Sequence, residues 1–422
     1  MKKTLLTICL VWMCFSLSAQ KIIDLSGKWS FSIDRQDNGE KEKWFSHTLN
    51  DFINLPGSMP EKLKGDEVTA KTQWTGSLYD SSYYYNPYME KYRKEGNIKF
   101  PFFLTPDKHY VGAAWYQKEV NIPADWKGER ILLFLERPHI ETTVWVNGQK
   151  TGMQNSLCVP HQYDITRYVR PGKCTITIRV DNRIKEINVG PDSHSITDQT
   201  QGNWNGIVGR ICLQTTPKTY FDDIQIYPEP EQKLARVKVV IKGTGTAKVK
   251  LSAESFNTDK KHIVPAIQQE IKLNKGVTET EMVLPMGNDM LLWDEFHPAL
   301  YKLKAEVTNG KKTEIKEIQF GMRRFEIKGK WFYVNGRKTQ LRGTVENCDF
   351  PLTGYAPMDV ESWERVFRIC RSYGLNHMRF HSFCPPEAAF MAADRVGFYL
   401  QPEGPSWPNH GPKLGLGQPI DT

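Results

Sequence analysis

The 422-residue chain is predicted to be a mainly β, multidomain protein. It reads as a jelly-roll β-sandwich, an immunoglobulin-like β-sandwich, and the first strands and helices of a (β/α)8 barrel. Three observations predict this. Period-two alternation of apolar and polar residues fills the chain as far as Phe320, with helical spacing nearly absent. Beyond Phe320, short apolar strands alternate with helix-spaced segments, the pattern that opens a (β/α) barrel. A length of 422 residues also suits two to four domains, each with its own core.

Residues 1–19 read as an export signal and not as part of the fold. Lys2 and Lys3 form a positive start, Leu5 to Phe15 a short apolar stretch, and Leu17-Ser18-Ala19 a small-residue cleavage site before Gln20. The stretch is too short for a helix to cross a bilayer about 30 Å thick. Cys14 suits a lipid anchor, but Met13 stands where lipoprotein processing prefers a small residue. A soluble mature chain, periplasmic or extracellular, is the expectation.

Residues 20–218 carry the jelly roll. Arg130 to Leu135 reads as a buried strand, Thr143 to Val146 runs into the hairpin dipeptide Asn147-Gly148, and Thr175 to Val180 alternates cleanly. An insertion, 71–110, carries Tyr83, Tyr84, Tyr85, Tyr88, Phe100, Phe102 and Phe103. These aromatics either pack on one another or offer flat faces for sugar rings.

Residues 219–320 have a different turn rhythm. Val237 to Ile241, Val249 to Leu251, Ile267 to Leu273 and Tyr301 to Val307 read as short strands, with Gly243-Thr244-Gly245 as a break, which suggests the immunoglobulin-like sandwich. In residues 321–422 a strand is predicted at Thr339 to Gly343. A helix capped by Asp359 follows, with Val360, Trp363, Phe367 and Cys370 inward and Gly374 as its stop. Asn376 to Phe380 is the second strand. Pro386 opens the second helix, with Phe390 and Ala393 inward and Gly397 ending it. Phe398 to Leu400 is the third strand.

Composition excludes several functions. Aromatic residues at 12% with a mean hydropathy of −0.52 exclude a multispanning membrane protein and wholesale disorder. The net charge of +8 falls to +6 once Lys2 and Lys3 leave with the signal. The remaining basic residues are scattered, so no nucleic-acid stripe is expected. Cys158, Cys174, Cys212, Cys348, Cys370 and Cys384 remain in the mature chain without a C-x-x-C pair or zinc-finger spacing. Buried free thiols are the expectation, with no metal and no cofactor.

Ordered motifs give the chain its resemblance. Ala114-Trp115-Tyr116-Gln117-Lys118 and Gly202-Asn203-Trp204-Asn205-Gly206-Ile207 flank the jelly roll. Leu292-Trp293 with His297-Pro298-Ala299-Leu300-Tyr301 closes the second sandwich, and Tyr333-Val334-Asn335-Gly336 leads to Leu341-Arg342-Gly343. In this order, across nearly the whole mature chain, they resemble family 2 glycoside hydrolases: exo-acting, retaining β-galactosidases, β-glucuronidases, β-mannosidases and relatives. The resemblance implies a sugar-binding jelly roll, a carbohydrate substrate, and catalysis by two glutamates after the fourth and seventh barrel strands. One is a proton donor and the other a nucleophile about 5 Å away.

Residues 321–422 number 102, against about 250 for a whole barrel, and reach only a third strand. The expectation is therefore a chain that stops before both glutamates and is inactive or severely impaired as a hydrolase. The alternative is a non-catalytic carbohydrate-binding or scaffold protein.

The substrate-binding candidates lie at the strand ends. His377, Arg379 and His381 share a face by the two-residue period. By resemblance, Arg379 matches an arginine that supports the catalytic carboxylates. His381 lies one position before a substrate-binding histidine, where Ser382 stands. Glu403 matches an acidic position, with Pro402 replacing an aspartate. Val345 and Asn347 stand where many members carry Asn and His. Glu346 and Glu403 project from strands one and three at a separation that suits a catalytic pair, but a raised acid pKa needs the desolvated pocket of a whole barrel. Trp407 and His410 could line the rim or bind a cation.

Overall fold

The computed structural model describes residues 20–69, 71–75, 82–99, 106–185, 195–196 and 202–404. The leader, Phe100, Phe102, Phe103, Trp407 and His410 lie outside the described residues.

Two sheets face each other in the first region. One runs in the order Ile22–Asp24, Gly206–Thr216, Arg130–Pro138, His161–Asp164, with Gly57–Ser58 also on Gly206–Thr216. The other runs Gln149–Asn155, Glu141–Val146, Gly172–Asp181, Ala113–Ile122, Gly27–Asp34, Asp51–Leu55. Alternation sends Trp29, Phe31, Ala114, Tyr116, Val120, Leu133, Leu135, Ile176 and Ile178 into the shared core. The outer face of the second sheet is covered too: Trp115 and Trp145 stack at 5.0 Å beneath Trp44 and Phe45. Asn147 and Gly148 turn the hairpin with φ of 50° and 76°.

Asn205 shows why the Trp204-Asn205-Gly206 motif sits where it does. Fully buried, its side chain donates to Gly112 O (2.9 Å) and Val180 O (3.0 Å) and accepts from the Tyr116 hydroxyl (2.7 Å). Gly206 follows at φ 150°, where a Cβ would come within 2.4 Å of Gly57 O.

In the second region the expected short strands merge. Leu234–Ser255 and Ile263–Pro285 form one long hairpin. Gly243-Thr244-Gly245 is a register shift within a strand and not a turn. A Cβ on Gly243 would meet Thr219 Oγ1 at 2.5 Å. Tyr220–Glu229, Tyr301–Asn309 and Lys312–Phe320 complete the sheet. Val237, Val239, Ile241, Val249, Leu251, Leu303 and Val307 fill its core.

Beyond Phe320, a small antiparallel sheet (Phe325–Lys328, Trp331–Val334, Arg337–Thr339) precedes a three-stranded parallel one. The parallel strands are Gly343–Glu346, His377–Phe380 and Tyr399–Gln401. The first begins where the sequence predicts its end. Arg337–Thr339 is taken by the antiparallel sheet, and Arg342 N instead donates to the Asn376 side chain at 2.7 Å. The helix Val360–Ser372 is capped by Asp359, whose carboxylate accepts from Ser362 N at 2.8 Å. The helix Glu387–Val396 ends at Gly397, φ 76°. Ala388, Ala389, Ala392, Ala393 and Val396 are its buried residues, while Phe390 stays 38% exposed, against the expectation that it faced inward. Trp363, Phe367, Phe380 and Phe398 join the two helices to one face of the sheet.

The regions are clasped together. Glu295 Oε2 accepts from Asn376 (2.8 Å) and pairs with Arg342 (3.3 Å), and Trp293 Nε1 donates to Asp394 O at 2.7 Å. Lys312 reaches Glu129 of the jelly roll at 2.6 Å.

Candidate functional site

In parallel pairing, residues in register leave the sheet on the same side. Val345 pairs with Arg379 and Arg379 with Gln401, so these share the face away from the helices. Phe380, one residue on, is buried against the helices. Arg379 Nε donates to Glu403 Oε1 across the strand ends. Burial pushes the Glu403 carboxyl up. Hydrogen bonds to Arg379 and Ser382, with the charges of Arg379 and His381, outweigh it and hold the carboxyl below its ordinary value. The structure thus brings Arg379, His381 and Glu403 together and leaves a fixed guanidinium–carboxylate pair at the ends of two strands.

Glu346 is placed differently. Its register partner is Phe380, so its side chain leaves on the helix side, opposite Arg379. One carboxylate oxygen accepts from Cys348 N at 2.8 Å, and the other is buried without a hydrogen-bond partner. Burial raises this carboxyl to about 7, Asp349 adds to the rise, and the Cys348 and Asp349 amides oppose it. A protonated carboxyl in that position is a proton donor, yet it does not face Glu403. Asn347 is half-buried in the following loop.

The roof over the site comes from the jelly roll. Ser195 Oγ donates to Ser382 O at 2.6 Å, Arg137 Nη2 to Cys384 O at 2.8 Å, and the Tyr355 hydroxyl to Glu61 at 3.0 Å. Trp204 stacks on His139 (4.6 Å) and tilts against Tyr355 (5.6 Å). Burial and the Arg137 charge push His139 down to about 3 against the opposing Asn203 bond, so it stays neutral. Of these residues, the sequence motifs flagged Asn203 and Trp204. Ser195, Arg137 and Glu61 meet Ser382, Cys384 and Tyr355 across about 190 to 300 residues and leave no local pattern.

Tyr83 is buried with Trp74, Met89, Tyr92 and Ile98, whereas Tyr84, Tyr85 and Tyr88 are exposed. Among the described residues no group of three or more His, Cys, Asp or Glu could hold a metal, and no helix is long and apolar enough to cross a membrane.

A sandwich of two packed sheets, a five-stranded antiparallel sheet and a parallel β/α unit with an Arg–Glu pair at its strand ends define a mainly β, multidomain architecture. Known proteins agree. The family model "Glycosyl hydrolases family 2, sugar binding domain" matches residues 22–217, and "Glycosyl hydrolases family 2" matches 219–323. The chain belongs to glycoside hydrolase family 2.

A β-glucuronidase of Paenibacillus borealis is 23% identical over 92% of this chain and 59% of its own. A β-galactosidase of Thermoanaerobacter pseudethanolicus is 24% identical over 75% of this chain and 42% of its own. The chain spans about half the length of the curated relatives it matches. Among solved structures, a Ruminococcus gnavus β-glucuronidase in complex with D-glucaro-d-lactam superposes with a TM-score of 0.66 at 20% identity, covering 92% of this chain and 60% of that one. A Bacteroides cellulosilyticus family 2 member does so with 0.66 over 91% and 47%.

Proposed function

We propose that this chain forms the sugar-recognition and barrel-opening part of an exported, exo-acting, retaining β-glycosidase. Residues 20–218 serve as the sugar-binding jelly roll, 219–320 as the spacer that fixes geometry, and 321–422 as the start of the catalytic barrel. The observation that carries this reading is the Arg379–Glu403 pair at the C-terminal ends of parallel strands, where barrel active sites are built. In this reading Arg379 keeps a neighbouring catalytic carboxylate ionised, and His381, Asn347 and Glu403 bind substrate hydroxyls. Glu346 supports the site from the far side of the first strand.

Retaining hydrolysis needs two carboxyls about 5 Å apart on either side of the bond. Glu346 and Glu403 leave opposite faces, and Glu403 is committed to Arg379. The 422-residue polypeptide alone is therefore expected to be inert toward nitrophenyl β-galactoside, β-glucuronide and β-mannoside.

The deciding experiment extends the reading frame beyond codon 422 and assays the longer product on the same glycosides. Turnover in the longer product, lost when Arg379→Met is introduced, supports the proposal. Sugar binding without turnover would make the protein a carbohydrate-binding one. Turnover by the 422-residue chain that disappears in Glu403→Gln would falsify the separation of the two carboxylates.

A further inference from the structure

Three successive carbonyls in the turn that leaves the strand His377–Phe380 each accept a hydrogen bond, and two of the donors are jelly-roll side chains. Ser195 Oγ donates to Ser382 O at 2.6 Å, and Arg137 Nη2 to Cys384 O at 2.8 Å. Between them, Phe383 O accepts from the Glu403 amide at 3.2 Å. Glu403 therefore takes its backbone anchor from a carbonyl that the jelly roll pins on both sides. Its carboxylate also accepts from Ser382, the residue that Ser195 holds.

The turn has little else to keep its shape. Its closing bond, from Phe383 N to Phe380 O, is long at 3.3 Å. Ser382 is 3% and Phe383 4% exposed, so a carbonyl there that loses its donor finds little water and the backbone must shift to satisfy it. Arg137 is a firm anchor because it stands on the strand Arg130–Pro138, in register with Val208 of Gly206–Thr216. A further link between the same regions, Arg210 to Glu387 at 3.5 Å, joins side chains 66% and 69% exposed and meets the helix beyond the turn, so it contributes little.

We infer that Arg137, together with Ser195, is a positioning residue for the Arg379–Glu403 pair, acting through the turn 382–384. That the pair serves hydrolysis rests on the glycosidase reading; that the turn holds it in place does not. A misplacement of about 1 Å at a reacting centre can cost about 100-fold in rate, which gives such an anchor a catalytic consequence at a distance.

The first test needs no turnover. Glu403 is titrated in the 422-residue chain through its side-chain carboxyl carbon resonance, assigned with Glu403→Gln. Its carboxyl lies below the ordinary value through its bonds to Arg379 and Ser382. In Arg137→Met and in Ser195→Ala those bonds loosen, and Glu403 should titrate at higher pH than in the parent. Arg137→Lys, which keeps a donor and a charge, should return the midpoint towards the parent's. Ser195→Ala removes no charge, so its shift reports geometry, and it decides alone if Arg137→Met does not fold. An unmoved midpoint in either folded variant would overturn the inference, since a shift in Arg137→Met alone is what a lost charge produces. In a longer product that turns over, both variants should lose about 10- to 100-fold in kcat with KM within about twofold, and Arg137→Lys should recover most of the loss. Full kcat in Arg137→Met would overturn the positioning role. Shifted midpoints with no turnover in the longer product would instead refute the glycosidase reading and leave the anchoring of Glu403 standing.

Discussion

Replacing Glu346 by Gln should make the protein clearly more stable at pH 8 and only slightly more stable at pH 5. The carboxyl has one partnered and one orphaned oxygen, and its pKa is raised to about 7 from an ordinary 4.5. Between those values the folded chain holds a proton that the unfolded chain has released. Raising the pH through that window therefore penalises the folded state, and above about 7 the whole penalty is present. At about 1.4 kcal/mol per pH unit, the interval from 4.5 to about 7 is worth about 3 kcal/mol. Glutamine has the same shape, keeps an acceptor for Cys348 N and never ionises. The assay is urea unfolding of both chains at pH 5, 6, 7 and 8, followed by alkylation of the buried Cys348. The difference between chains cancels the titrating groups that do not feel Glu346; Asp349 and Cys348 do. A gap that opens to about 2–3 kcal/mol in favour of the variant between pH 5 and 8 is expected. Parallel profiles, or a variant less stable at pH 8, would show that Glu346 does not hold its proton in the folded chain.

Arg379→Ala should cost less than about 1 kcal/mol of stability, since the guanidinium is 42% exposed and such pairs contribute little; a loss above about 2 kcal/mol in urea unfolding would contradict a site role in favour of a structural one. Asn205→Ala removes three buried hydrogen bonds and strands two carbonyls and a hydroxyl, so a loss of about 3 kcal/mol is expected in the same assay; a loss below about 1 kcal/mol would mean that the motif is not the staple described. N-terminal sequencing of exported material should begin at Gln20; a retained leader or a lipid on Cys14 would refute cleavage there.

Local chemistry made much of the fold legible. Asn147-Gly148, the Asp359 cap and the Gly397 stop each need only their neighbours in sequence. What misled was punctuation whose meaning depends on length. Gly243 and Gly245 end a short strand but merely bend a long one, and only pairing with Ile263–Pro285 decides between the two. Phe390 fits the helical stripe, yet the alanines beside it let the helix sit close to its neighbours, leaving the ring on the outside.

The site divides along the same line. The face of Arg379 follows from the two-residue period, because His377–Phe380 lies within the strand the sequence predicts. The side of Glu346 does not. It depends on which residue of the first strand pairs with His377, and that residue is Gly343, where a Cβ would run into the His377 ring at 2.4 Å. A side chain at that position would push the strands apart, so the glycine fixes the register and sends Glu346 to the helix side. The Ser195 and Arg137 bonds then hold the Ser382 and Cys384 carbonyls. His381 is hydrogen-bonded through its own N–H to Glu346 O at 2.9 Å, and Glu403 N–H reaches Phe383 O at 3.2 Å. The turn that presents His381 and Glu403 is therefore fixed partly by the jelly roll. Loosening Ser195 or Arg137 should disturb the Arg379–Glu403 geometry without touching either residue.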